Sequence, residues 1–272
     1  NLWAVRLLVA LLVAGTGFCL FLAGRALRQA GGGLAAALLF AVVPATVLFQ
    51  GDAYAANTEW FAAFFSSAAA AVFLGGGGPW SSRRILATGL LSGCAFLSKQ
   101  PALLDFAAPL AALAYAGWRQ SRPPRAVSLQ VFTLAAGWLA PVLLAAAWFG
   151  AHGALRDGIF YTWTYNLTYY GPEITTAERA GALTLPFQII GSSQPWLLLL
   201  WAGGALAVLH RLAQRNPAPA EDATNPGLLY LAVWSLAGLA GAASSGRGFD
   251  HYSIQFLAPF CLGAGLVLGR LA

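Results

Sequence analysis

The side chains able to do chemistry in this sequence are few, and they gather in a handful of places. Lys99 is the single lysine among fifteen basic residues and stands in Leu97-Ser-Lys-Gln-Pro101. This is a break between two apolar runs, and Pro101, lacking an N–H, suits the first turn of the helix that follows. A tight helix hairpin there presents Lys99 and Gln100 at the membrane interface, where an ammonium can hold a phosphate as a compact point charge or simply snorkel to water. Asp52 and Glu59 are seven residues apart. If one helix carries both, they share a face about 10 Å apart along the axis. That is too far to share a proton but suits lining one cleft. The plain alternative is two interfacial acids in water, which fits Asp52 better than Glu59, set deeper in an apolar stretch.

Arg247, Asp250, His251 and Tyr252 cluster in Gly246-Arg-Gly-Phe-Asp-His-Tyr252, just before the last apolar run. The segment at 150–183 holds Tyr161, Trp163, Tyr165, Tyr169 and Tyr170. Its aromatic density suits a headgroup-level belt or a wall on which sugars stack, and composition favours the belt. Asn166-Leu-Thr168 matches a glycosylation sequon, a weak signal in any chain. No dinucleotide, Walker, nucleophile-elbow or zincin pattern is present. The three cysteines, Cys19, Cys94 and Cys261, are odd in number and lack a CxxC pair, which argues against a disulfide framework or a zinc site.

The elements that must position these groups follow from composition. The chain is 59% hydrophobic and 9% charged, with a mean hydropathy of +0.68. A soluble domain carries about 25% charged residues, so a water-soluble globular enzyme is excluded, and disorder with it. The net charge of +6 does not point to nucleic acid, because the bases lie in ones to threes between apolar runs, as they do in membrane loops. The expected fold is all-α, one polytopic membrane domain over 1–272 with short loops.

Nine apolar runs are candidate spans: 7–24, 33–50, 58–74, 85–97, 102–118, 126–149, 185–209, 228–243 and 251–269. The fourth is short, and the seventh is interrupted by Gly191-Ser-Ser-Gln-Pro195. Alternate loops hold Arg25, Arg28, Arg83, Arg84, Arg119, Arg122, Arg125, Arg211, Arg215 and Arg270, ten bases against five on the other side. The richer side is expected to be cytoplasmic. That leaves the segment at about 150–184 as an outer loop and that at about 210–227 as a solvated cytoplasmic loop. The absence of Met and an outside start together lead to the expectation that the chain is a fragment with at least one span upstream.

At these residues the sequence resembles the polytopic GT-C glycosyltransferases, in particular the bacterial protein-mannosyltransferase-like branch. Gly33-Leu-Ala-Ala-Ala-Leu-Leu, Val43-Pro44 and Asn57-Thr-Glu59 carry the first part. The run from Gly89 to Leu103, through Ser98-Lys-Gln-Pro101, looks like that branch's GLA-hydrophobic-TKQ-x-AL hairpin. Tyr165-Asn-Leu-Thr-Tyr169 is similar to its outer YN-x-x-Y segment, and His251-Tyr-Ser-Ile-Gln255, running on to Pro259, to its late HY-x-x-Q-x-x-P element. The patches occur in family order over most of the chain.

The resemblance implies transfer of a sugar from a polyprenyl-phosphate donor to a lipid, glycan or protein acceptor, with inversion, at the outer face of a bacterial inner (plasma) membrane. It puts the donor phosphate on Lys99 and Arg247. Glu59, Gln100, Tyr165, Asn166, Tyr169, Asp250, His251, Tyr252 and Gln255 would form the substrate cleft. Its catalytic base falls before Asn1, with Glu59 or Asp52 as the fallback. No resident metal is called for, a divalent cation being an option only because some GT-C enzymes use one. The competing readings are a secondary transporter or flippase-like protein and a non-catalytic membrane subunit. A transporter would show related halves and mid-membrane charges, and a subunit would need neither Lys99 nor Glu59.

Overall fold

The computed structural model describes residues 2–76, 80–165, 168, 173–214 and 225–271. It is 88% helical with no strand among the described residues. Helices α1 (Leu2–Ala26) and α2 (Ala30–Val47) form a hairpin. The turn is closed by the Gln29 N–H donating to the Gly24 carbonyl at 3.0 Å. Glycine makes the approach possible: a Cβ on Gly24 would run into the Cα of Gly33. Between apolar helices in lipid, such close backbone contact replaces the hydrophobic drive available in water.

After the short α3 (Gln50–Ala53), α4 (Thr58–Leu74) and α5 (Ser82–Ser98) pack side by side. Their connection is tied down by Trp80 Nε1 and Arg84 Nη2, which donate to the Phe73 carbonyl at 2.8 and 2.9 Å. A 3-10 segment (Gln100–Phe106) leads into α6 (Ala107–Arg119), and α7 (Pro124–Ala151) lies against α5. The α5–α7 crossing is built on Gly89, Gly93 and Gly137. A Cβ on Gly89 would meet the Leu134 carbonyl oxygen, and one on Gly137 would lie 3.1 Å from the Gly89 Cα.

The second half holds α8 (Leu155–Ile159), a π-helical turn (Phe160–Thr164), α9 (Thr176–Ser193), α10 (Pro195–Ala213) and α11 (Asn225–Ala243). A 3-10 turn (Asp250–Ser253) then leads into α12 (Ile254–Leu271), which is as deeply buried as α11 and packs on α2 and α11. Phe40, Trp60, Phe73, Trp234, Phe256 and Phe260 fill the centre.

Among the described residues, six helices are long and apolar enough to cross a membrane by length and composition: α1, α2, α7, α10, α11 and the 3-10 turn with α12. The outer surface agrees. α7 buries only Leu134 and Gly137, and leaves Phe132 72% and Leu144 73% exposed. A surface of this kind is unfavourable in water and at home among acyl chains.

Several expected boundaries move. The run at 102–118 is not one α-helix, because the 3-10 segment takes its first turns. The interrupted run at 185–209 is two helices, parted where Gln194 leaves helical geometry before Pro195. The expected loop at 150–184 is partly helical, since α8 and the π-helical turn occupy its first half and α9 begins at Thr176. Of the expected loop at 210–227, α10 takes the residues up to Ala213 and α11 those from Asn225, and 215–224 lie outside the described residues.

Candidate functional site

Glu59 sits in the first turn of α4 and Lys99 caps the last turn of α5. Helix dipoles favour an acid at the first position and a base at the second. Because a short connection makes the two helices antiparallel, those ends lie side by side. Lys99 Nζ approaches Glu59 Oε1 to 2.6 Å, with the carboxylate side chain 3% and the lysine side chain 22% exposed. The Thr58 hydroxyl donates to the other carboxylate oxygen at 3.2 Å. From the 3-10 turn before α12 the Tyr252 ring covers the ammonium, its centroid 4.3 Å from Nζ. A cation held between a carboxylate and an aromatic face is stabilised from two sides.

These groups line a small pocket of about 10 Å³ together with Pro101, Gly241, Ser244, Ser245 and Gln255. A second layer lies beneath. Asp105, buried on the 3-10 segment, accepts from the Ser66 hydroxyl at 2.7 Å and from Gln255 Nε2 at 3.3 Å. Ser66 is seven residues beyond Glu59, so α4 serves both layers from one face, about 10 Å apart. Gln255 belongs to both layers, bounding the pocket and bonding Asp105. Gly241 makes room for it: a Cβ there would come within 2.7 Å of Gln255 Nε2.

Of the expected site residues, Glu59, Lys99, Tyr252 and Gln255 come together in this pocket. His251 stands beside Tyr252, its ring 4.7 Å from the tyrosine ring and stacked on Phe249. Asp250, half-buried, opens the same 3-10 turn. Gln100 follows Lys99 but does not line the pocket.

Arg247 departs from expectation. It lines a separate open cleft of about 530 Å³ with Glu173, Glu178 and Gln188, not the pocket of Lys99. Asp52 and Glu59 also do not share a helix, because α3 ends at Ala53 and the chain runs non-helically from Tyr54 to Asn57. Asn57, extended at φ −65° and ψ 149°, starts a new helix whose first turn holds Glu59. Tyr165 follows the π-helical turn, packed on Phe160 and Tyr161 and away from the pocket. Asn166 and Tyr169 lie outside the described residues.

Asp105, Ser66, Ser244 and Ser245 are not among the site residues expected from the sequence, although Asp105 stands within an apolar run. For Asp105 the signal was available, since an acid within an apolar run needs a partner. No group of His, Cys, Asp and Glu able to hold a metal occurs among the described residues.

Compared with known proteins, the chain matches no family model, and no curated protein matches it.

Proposed function

We propose that the chain is a membrane glycosyltransferase that moves a sugar from a polyprenyl-phosphate donor to a lipid, glycan or protein acceptor. The observation that carries this reading is convergence. Asn57-Thr-Glu59, Ser98-Lys-Gln-Pro101 and the segment from His251 to Gln255 resemble separate parts of the GT-C pattern, and three elements distant in sequence bring them to one pocket.

The chemistry follows from charge. In direct displacement an acceptor oxygen attacks the anomeric carbon, the bond from that carbon to the phosphate oxygen breaks, and the acceptor proton passes to a base. Negative charge grows on the departing polyprenyl phosphate, and a pre-positioned ammonium lowers the barrier. Lys99 is that cation, Glu59 and the Tyr252 ring hold it in place, and inversion is the stereochemical result.

The full topology belongs to this proposal. Nine spans, with the arginine-rich loops in the cytoplasm, put the Lys99 pocket at the outer face of a bacterial inner membrane, where a lipid-linked sugar presents its phosphate. The test is release of polyprenyl phosphate from a matched donor by the full-length protein. Lys99→Ala lowers turnover by about 10² or more, and Lys99→Arg restores only part of it, because a planar fork does not replace a point charge. Full turnover by the alanine variant removes Lys99 from the reaction.

A further inference from the structure

Holding a phosphate on Lys99 leaves one part of its pocket unused. The pocket measures about 10 Å³, room for one water-sized oxygen and no more. A ligand therefore enters it by a single atom. The rest stays at the rim, where Ser244 is exposed and the Lys99 side chain is 22% exposed.

Gln255 decides which atom fits. It is 2% exposed, and its Nε2 donates to Asp105 Oδ1 at 3.3 Å, while Asp105 Oδ2 accepts from the Ser66 hydroxyl at 2.7 Å. A carboxylate offers acceptors only, so it takes the nitrogen of the amide and turns Oε1 the other way. That oxygen lies 2.9 Å from where a Cβ on Gly241 would stand, and Gly241 is itself a lining residue. The bare glycine thus keeps Oε1 open to the pocket. Among the described residues no group donates to it.

Lys99, on the same pocket, carries three N–H donors, one of them directed at Glu59 Oε1. An oxygen in the pocket therefore meets donors from Lys99 and an acceptor in Gln255. A phosphate oxygen satisfies the ammonium but, able only to accept, is set against Gln255 Oε1 and the Glu59 carboxylate. An alcohol answers both, accepting from Lys99 and donating its proton to Oε1.

We propose that the pocket is a socket for one hydroxyl of the transferred sugar. Gln255 Oε1 is the acceptor that selects it, and Asp105 is the positioning residue that aims Gln255. This rests on the glycosyltransferase reading of the site. With the donor phosphate on the exposed side of Lys99, the sugar bonded to it brings the hydroxyl beside the anomeric carbon nearest the socket.

The test gives the full-length protein polyprenyl-phosphate hexose and pentose donors, each beside its monodeoxy analogues, and reads kcat/KM from released polyprenyl phosphate. In the unaltered protein one deoxy analogue should fall about tenfold below its parent. Gln255→Leu should bring the two to within about twofold, and so should Asp105→Ala, which frees the amide to turn. Asp105→Asn keeps an oxygen for Nε2 and should retain the discrimination. Each value is a ratio within one protein, so a smaller folded fraction cancels. Equal use of parent and all deoxy donors by the unaltered protein, the result if the hydroxyl comes from the acceptor, overturns the socket and leaves the reaction standing. Discrimination undiminished in Gln255→Leu overturns it as well, and undiminished discrimination in Asp105→Ala removes Asp105 as the positioning residue. No release from any donor overturns the reaction and the socket together.

Discussion

The ammonium of Lys99 is shared between the Tyr252 ring, 4.3 Å away, and Glu59 Oε1, 2.6 Å away, so one cation serves two partners from different helices. Removing it strands a carboxylate that is almost fully buried. Lys99→Ala should therefore cost stability on the order of 3 kcal/mol, while Glu59→Gln/Lys99→Ala should recover most of that loss. Thermal unfolding of the four proteins of this cycle in one detergent is the check. Additive effects would show that the pair is not coupled.

Asp105 gives the Ser66 hydroxyl and the Gln255 amide their acceptor. Asp105→Ala leaves both donors buried and should cost about 2 kcal/mol, whereas Asp105→Asn keeps an oxygen for one of them and should cost less. Gly241→Ala pushes the Gln255 amide aside. Its cost should shrink markedly in an Asp105→Ala background, where there is no bond left to break. Equal costs in both backgrounds would disconnect Gly241 from this chain of bonds.

The glycine crossing of α5 and α7 has no slack. A methyl group on Gly89 meets backbone atoms of α7, which cannot rotate away. Gly89→Ala should separate the helices and destabilise the protein by about 2 kcal/mol. Gly31→Ala, where nothing lies within 4 Å of the new methyl group, should be close to neutral. The contrast between the two melting temperatures is the measurement.

The start of α9 should be sensitive to acid. Thr175 donates its N–H and its hydroxyl to Glu178 Oε2 at 2.7 and 2.8 Å. These bonds, the backbone one first, hold the Glu178 carboxyl below its ordinary value. A group depressed in the folded state contributes its stability above the ordinary carboxylate range and loses it as pH falls below that range through its lower folded value. Amide protection factors in the first turn of α9 should fall with acidification, and Thr175→Ala should flatten the response. The effect is small, because the carboxyl is exposed and screened by solvent.

Membrane orientation rests on the ten-to-five division of basic residues. Single cysteines placed at Arg122 and at Glu173 should react with impermeant reagents from opposite sides. Labelling of both in intact cells reverses that assignment for one of the two segments.

The helices themselves were largely legible in the sequence, because apolar length is a strong signal: the run at 58–74 coincides with α4. The 3-10 segment was not, since Ala-Leu-Leu-Asp-Phe reads the same whether each turn takes three residues or nearly four. Lys99 stood out through its isolation at a chain break. Its pairing with Glu59 was within reach, because a short connection forces the start of α4 beside the end of α5. The seven-residue spacing to Asp52 instead suggested an acid for a neighbour, and the non-helical stretch from Tyr54 to Asn57 removes that relationship. The meeting of Ser66 and Gln255 at Asp105 was beyond reach, since it depends on how α4 and α12 pack around the 3-10 segment.

The glycine-lined crossing also fixes how deep the Lys99 pocket can lie. α7 has 28 residues, about 42 Å of helix, against a hydrocarbon core of about 30 Å, so in a bilayer it must lean or protrude. α5 has 17 residues and is clamped to it backbone against backbone. The shorter helix must therefore adopt the lean of the longer one. Under the proposed topology, bilayer thickness acting on α7 would then set the height at which Lys99 meets the headgroups, much as the length of a strut sets the height of the shelf fixed to it.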